Sequence, residues 1–397
     1  MVGTSNTVQV RLAEITQYLE GRDYSLALRR LTDCVIDTEN TSIFKTCLDI
    51  HASFENVDKN KEDFASFEQE VKNFIPLLEK HLKNVMLENH LLLSTKQLGK
   101  TYRTGGFGIR NIDTAIKQGE IVGLVGENGN GKTTLLRMLG GELSPSAGTI
   151  NYHYTNQKKG TYNHRSEIVF VPQNIPKWYG SLMDNLMFTN AYYGRKNEDN
   201  KLWAEIMIAR LGLRAFKDLN WNRISSGYKT RFELARVLLQ KPKILLLDEP
   251  LANLDIFAQQ TVLQDLKYRA QSMRNPFGIF LSSQQLYEVE KISDKVIFLK
   301  NGTPQYQSML ATETAEINQP AQLYSVFEIE SPENRAAVTQ ALATLNPVQV
   351  KFNGGVFVVS FPIEVDMSLL LLTLAQRNLN VLAVRNISKS SRRFFEA

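Results

Sequence analysis

One stretch, residues 121–134, constrains this 397-residue chain more than any other. Five apolar residues, Ile121-Val122-Gly123-Leu124-Val125, run into Gly126-Glu127-Asn128-Gly129-Asn130-Gly131-Lys132-Thr133-Thr134, and Leu135-Leu136-Arg137-Met138-Leu139 follows. The apolar run reads as a strand buried on both faces, and the segment after the loop reads as a helix. Between them lies G-x-x-x-x-G-K-[ST] in the strand-to-helix context it requires. Glycine lets such a loop curl tightly, so that successive backbone N–H groups and the helix N-terminus converge on one point, a geometry suited to phosphate oxygens. Asn128, Gly129, Asn130, Gly131 and Thr134 are expected to line that cradle. Lys132 is expected to reach the β- and γ-phosphates, and the Thr133 hydroxyl to ligate Mg²⁺.

A second apolar run, Ile244-Leu245-Leu246-Leu247, ends in Asp248-Glu249-Pro250. Taken alone, such a run is an ordinary strand entering a charged turn. Beside a phosphate loop it gains meaning, because ligands of open parallel sheets bind at the carboxyl ends of the strands. Asp248 is then expected beside the metal, and Glu249 facing the attacking water as general base.

Shortly before that strand comes Ile224-Ser225-Ser226-Gly227-Tyr228-Lys229-Thr230-Arg231, which resembles the signature segment of ATP-binding cassette proteins. The resemblance covers about residues 91–305. It implies an ATPase working with ATP and Mg²⁺. Tyr102 matches the aromatic that stacks on adenine, Gln173 the glutamine that contacts Mg²⁺ and senses the transporter, and Asp255 ends a loop, Leu251 to Asp255, that crosses a dimer interface. Two cassettes of this family pair head to tail, so Ser225, Ser226 and Gly227 are expected to touch nucleotide held by a partner, either a second copy or a homologous cassette. Leu281-Ser282-Ser283-Gln284 matches the switch segment, with Gln284 where a histidine is usual. Glutamine can hydrogen-bond phosphate or water but carries neither positive charge nor a mobile proton. Slow, nonzero hydrolysis is expected. The Ser-Ser-Gly signature, followed by a bulky and a basic residue, resembles the cassettes of polysaccharide, lipid-linked and gliding-type exporters and implies export through a separate polytopic membrane permease.

The remaining sequence frames this centre. Residues 1–90 show apolar stripes at helical spacing (Tyr24, Ala27, Leu28, Leu31, Val35; Phe67, Val71, Phe74, Leu78), with Pro76 expected to end or kink the later helix. Gly21 to Leu28 resembles one tetratricopeptide hairpin, a single match that establishes no array. Residues 91–310 alternate apolar strands and helices, and residues 321–397 read as strand-helix-strand-strand-helix-strand. The expected fold class is therefore α/β, a P-loop cassette with an N-terminal helical region and a C-terminal ferredoxin-like α+β module. Against 41 acidic residues stand 46 basic ones, a net charge of +5, too small a bias for a nucleic-acid partner. Cys34 and Cys47 have no metal-ligand spacing, and no apolar run approaches membrane-spanning length, so a cytoplasmic protein peripheral to the inner membrane face is expected. Trp178, Tyr179, Tyr192 and Tyr193 are open to two readings, permease docking or subdomain packing. The basic tail Lys389 to Arg393, followed by Phe394 and Phe395, is open to two readings, contact with anionic lipid or the solvated end of the last domain. A rival function is a soluble cassette that regulates protein partners by nucleotide-driven dimerisation, with the N-terminal helices as its binding module.

Overall fold

The structure is a computed structural model and describes residues 7–60, 64–82, 90–102, 107–154, 166–252, 254–309, 324–354 and 356–388. The basic tail, His164, Asn253, Gly355 and most of the linker around Pro320 lie outside those residues. The chain divides into two units, Met1–Gln305 and Tyr306–Ala397.

The first unit opens with four helices, α1 (Thr7–Glu20), α2 (Tyr24–Thr38), α3 (Thr41–Asn60) and α4 (Ala65–His81). Asp23 caps α2, its carboxylate accepting from the Leu26 N–H at 3.4 Å, and Glu39 closes it in the left-handed region at φ 53°. Pro76 does not end α4, which continues to His81. Its ring costs one backbone hydrogen bond, and the buried stripe Phe67, Val71, Phe74 and Leu78 holds the helix together across that gap. Unlike an amphipathic surface helix, α2 buries its polar face too, including Arg30, Asp33 and Asp37. These helices belong to the same compact unit as the elements after residue 90, so the expected boundary there separates no independent body.

Two antiparallel strands follow, β1 (Leu91–Thr101) and β2 (Gly108–Lys117), then β3 (Ile121–Val125), α5 (Lys132–Leu139), β4 (Ala147–Tyr152) and β5 (Ile168–Val171). Next come α6 (Leu182–Tyr192), α7 (Asn197–Arg210), α8 (Ser226–Leu238), β6 (Ile244–Leu247), α9 (Ile256–Ala270), β7 (Gly278–Ser283), α10 (Leu286–Glu290), β8 (Lys295–Lys300) and β9 (Thr303–Met309). The main sheet runs β5-β6-β7-β3-β8-β9, with β5–β6, β6–β7, β7–β3 and β3–β8 parallel. Every residue of β3, β6 and β7 is buried, which is why these strands read as unbroken apolar runs. A smaller sheet, β2-β1-β4, is antiparallel. It is not legible in the sequence, because three register shifts in the β1–β2 pair interrupt the alternation that marks a half-buried strand. Both sheets share a core with Leu135, Leu136, Met138 and Leu139 of α5, which fixes the helix behind the phosphate loop.

The second unit contains β10 (Tyr324–Glu330), α11 (Arg335–Leu342), β11 (Gln349–Asn353), β12 (Val356–Pro362), α12 (Met367–Gln376) and β13 (Ala383–Asn386). All its strand pairs are antiparallel, in the order β11-β12-β10-β13, the ferredoxin-like arrangement. Phe327, Ile329, Phe357, Val359 and Phe361 pack under Val338 and Leu342 of α11 and Leu370 and Leu374 of α12.

Candidate functional site

The phosphate loop connects β3 to α5 at the carboxyl end of the parallel sheet. Gly126, Gly129 and Gly131 have φ of 156°, 83° and 97°, conformations that side chains resist. A Cβ on Gly131 would lie 2.3 Å from Ile109 Cγ2, and one on Gly126 would lie 2.4 Å from the Leu299 carbonyl oxygen. The loop is therefore pressed from behind by β2 and β8 and must be glycine at both ends. Lys132, 5 % exposed, curls back over it, donating to the carbonyls of Gly126 at 2.6 Å and Glu127 at 3.3 Å. Those oxygens mark where the ammonium finds negative partners without a phosphate.

Asn130 has a structural task besides its place in the cradle. Its Oδ1 accepts from the Asn301 N–H at 2.8 Å, so the side chain pins the loop to the turn between β8 and β9.

The strand β6 delivers the two carboxylates. Thr133 Oγ1 donates to Asp248 Oδ2 at 2.7 Å, while Ser282 Oγ donates to Asp248 Oδ1 at 2.7 Å. Ser282 Oγ also accepts from the Glu249 N–H at 2.9 Å. Glu249 itself sits in the left-handed region at φ 48°, a strained setting for a glutamate and one often found where function requires it. Its Oε1 lies 3.0 Å from Lys132 Nζ, and its Oε2 accepts from the Gln284 N–H at 3.3 Å. Gln284 thus holds Glu249 by its backbone, and its amide side chain is exposed. Ser282, buried completely, was not singled out by sequence reasoning. A Ser-Ser pair at a strand end carries no pattern of its own, and its partners lie more than thirty positions away.

Farther out, Tyr102 is 37 % exposed, with its hydroxyl 3.5 Å from Thr134 Oγ1, on the open flank of the loop. Gln173 and Ser226 border one cavity of about 160 Å³ together with Glu249, Lys229 and Thr230. Ser225 caps α8 by accepting from the Tyr228 N–H at 3.4 Å, and Asp255 caps α9 by accepting from the Ala258 N–H at 2.9 Å. Both polar groups serve their own helices. Gly227 faces Leu254, whose Cδ2 would lie 3.3 Å from a Cβ there.

The aromatic group divides. Trp178 is 8 % exposed and stacks on Trp221 at 4.8 Å between centroids, with Phe232 edge-on, so it is packing. Tyr179, Tyr192 and, unanticipated, Phe188 are exposed by 75 % or more around α6.

The residues present fit a metal-bound nucleotide. A glycine cradle stands at a helix N-terminus beside a buried lysine, and two carboxylates against that one ammonium leave negative charge that suits a divalent cation. A hydroxyl and a carboxylate, Thr133 and Asp248, already meet at 2.7 Å as hard oxygen donors. Fold and site together define a P-loop nucleotide-binding protein.

Comparison with known proteins narrows the class. The family model for ABC transporters matches residues 109–252. The ABC transporter ATP-binding protein NatA of Bacillus subtilis is 30 % identical over 204 residues, 51 % of this chain and 82 % of NatA. The spermidine/putrescine import ATP-binding protein PotA of Mycoplasma mycoides is 29 % identical over 285 residues, 68 % of this chain and 74 % of PotA. Among solved structures, cbiO1 from Clostridium perfringens, part of the ABC transporter complex cbiONQ, is 28 % identical with a TM-score of 0.50, covering 56 % of this chain and 89 % of cbiO1. The chain belongs to the ABC transporter family, as an ATP-binding subunit and an ATPase.

Proposed function

We propose that this chain is the motor of a transporter: it pairs with a second copy or a homologous cassette around ATP and Mg²⁺, docks on a separate polytopic permease, and drives its cycle. The observation that carries the reading is the unbroken chain of contacts Thr133–Asp248–Ser282–Glu249, which ties phosphate loop to carboxylates with each oxygen of Asp248 already oriented. Thr133, Asp248 and Gln173 would hold Mg²⁺, which neutralises charge on the terminal phosphates when bound. Lys132 exchanges its carbonyl partners for phosphate oxygens, and its release from Glu249 frees that carboxylate to take a proton from water. Tyr102 supports the adenine, and Ser225, Ser226 and Gly227 close over nucleotide on the partner.

Docking draws support from the exposed aromatic surface of α6, an apolar patch of the kind that marks interaction sites. No helix among the described residues is long and apolar enough to cross a membrane, so a spanning partner would bring the chain to the inner face. Export rests on the Ser225-Ser226-Gly227 signature, whereas PotA is named for import.

Two experiments test these claims. Glu249→Gln is expected to abolish steady-state hydrolysis while retaining ATP binding; a variant as fast as the parent would show that the base is wrongly assigned. Mild-detergent purification of the tagged chain from its native membranes is expected to bring down a stoichiometric protein with several spanning helices. Recovery of soluble partners alone would replace transport with the regulatory reading.

A further inference from the structure

The helices after residue 90 contain two buried cations whose carboxylate partners come largely from before it. Arg210 ends α7 and Arg269 lies near the end of α9; they are 1 % and 6 % exposed. Arg210 has Asp265 of α9 at 3.4 Å, but α2 supplies the rest. Asp33 Oδ1 accepts from Arg210 Nε at 2.9 Å, and Oδ2 accepts from Arg210 Nη2 at 3.3 Å and Arg30 Nη1 at 3.2 Å. Asp37 accepts from Arg269 Nη1 at 3.0 Å, from Ser272 Oγ at 2.6 Å and from the Met273 N–H at 2.9 Å. At the rim, Glu39 joins Lys241, just beyond α8, to Asn275, just before β7. Burial disfavours these charges, yet neighbouring ions outweigh it: Asp33 is held below its usual range by Arg210, Arg269 and Arg30, and Arg210 above its own by Asp265 and Asp33.

The position of this joint bears on the signature. Helix α8 has an open cleft beside its first turn, where Ser226, Lys229 and Thr230 face Gln173 and Glu249. One turn farther, Leu234 borders both that cleft and a second void of about 10 Å³, where Arg29 of α2 meets Arg210, Arg231, Leu238 and Asp265. Away from the signature, Leu234 and Leu238 of α8 border that void beside Arg210 and Leu211 at the end of α7 and Val262 and Leu266 of α9, the two helices that Asp33 ties together.

We propose that the N-terminal helices brace α8, with Asp33 as a positioning residue that fixes the angle at which Ser225, Ser226 and Gly227 are presented to nucleotide on a second cassette. This rests on the dimer reading above. The phosphate loop makes none of these contacts, so the brace acts on closure and turnover and not on the first binding of ATP.

The test uses the full chain. In Asp33→Asn, ATP affinity of the monomer is expected to stay within about threefold of the parent while kcat falls at least about tenfold. Placed on a Glu249→Gln background, the same substitution is expected to weaken ATP-dependent dimerisation, read by light scattering. Glu39→Gln, at the rim and safer for folding, should move both readouts the same way by about threefold. A folded Asp33→Asn with unchanged kcat overturns the brace, as does a parallel fall of affinity, kcat and melting temperature. Should Asp33→Asn fail to fold, unchanged kcat and dimerisation in Glu39→Gln overturns it instead. If the Glu249→Gln parent stays monomeric with ATP, the dimer reading itself fails; if the parent dimerises and both variants dimerise equally, only the brace fails.

Discussion

Among the buried ion pairs that link distant elements of this protein, two are built to opposite ends. Lys132 and Glu249 meet at 3.0 Å with little around them: two carbonyls hold the ammonium, one long hydrogen bond from Gln284 holds the carboxylate, and the glutamate backbone is strained. Arg210 and Asp33 meet at 2.9 Å amid Arg30, Arg269 and Asp265, each with several partners. A pair that a ligand must part is left under-bonded beside a cavity, where water or phosphate can replace either partner. A pair that joins helices is saturated and sealed, because any lost partner strands a charge.

That contrast can be broken most severely at the sealed pair. Arg210→Met leaves Asp33 and Asp265 short of a cation and should destabilise the first unit by about 3–5 kcal/mol, read from urea midpoints; a loss below about 1 kcal/mol would mean that water already reaches the joint. At the open pair the effect should change kind. Lys132→Met should weaken ATP binding by about 10²–10³-fold while shifting the urea-derived stability by no more than about 1 kcal/mol, since Glu249 borders the cleft. Comparable loss of stability in both variants would erase the distinction.

Acid sharpens it further. His51, buried against Thr32 at 2.8 Å, is pushed down to about 3, first by burial and then by Arg214. The unfolded chain binds a proton there below pH of about 6.5 that the native protein refuses, so the stability is complete above that value and falls as pH drops towards 3. The expected loss is at most about 1.4 kcal/mol per pH unit, about 2 kcal/mol by pH 5, and denaturation of His51→Gln over the same range should show a shallower slope. An identical slope in parent and variant removes His51 from the account. Smallest is the gain from Gln284→His, where an imidazole that can carry charge should raise turnover about tenfold, near 1.4 kcal/mol in the barrier. No gain would place the slow step elsewhere.

The same contrast explains what the sequence discloses. Gly126 to Thr134 must be consecutive to form a cradle, and Asp248-Glu249 must end a strand, so their chemistry is written locally. The ferredoxin-like order is legible because each of its elements carries its own periodicity. Ser282 is not, since a lone hydroxyl gains meaning only when folding sets it between Asp248 and Glu249. Nor is the joint: Asp33 and Arg210 are 177 positions apart, and each sits in a helical stretch where an isolated charge reads as solvated surface. Asn130 shows the converse, a residue in the right motif whose side chain is engaged elsewhere.

The exposed rings on α6 and just before it carry a liability of a different sort. Tyr179, Phe188 and Tyr192 present sticky surface to any solvent they meet. A cell producing this chain in excess of the proposed permease would accumulate a colloidally unstable species, prone to clumping and to quality-control proteases. If the proposed permease covers those rings, its synthesis in step with the chain is a demand that three side chains impose on gene expression.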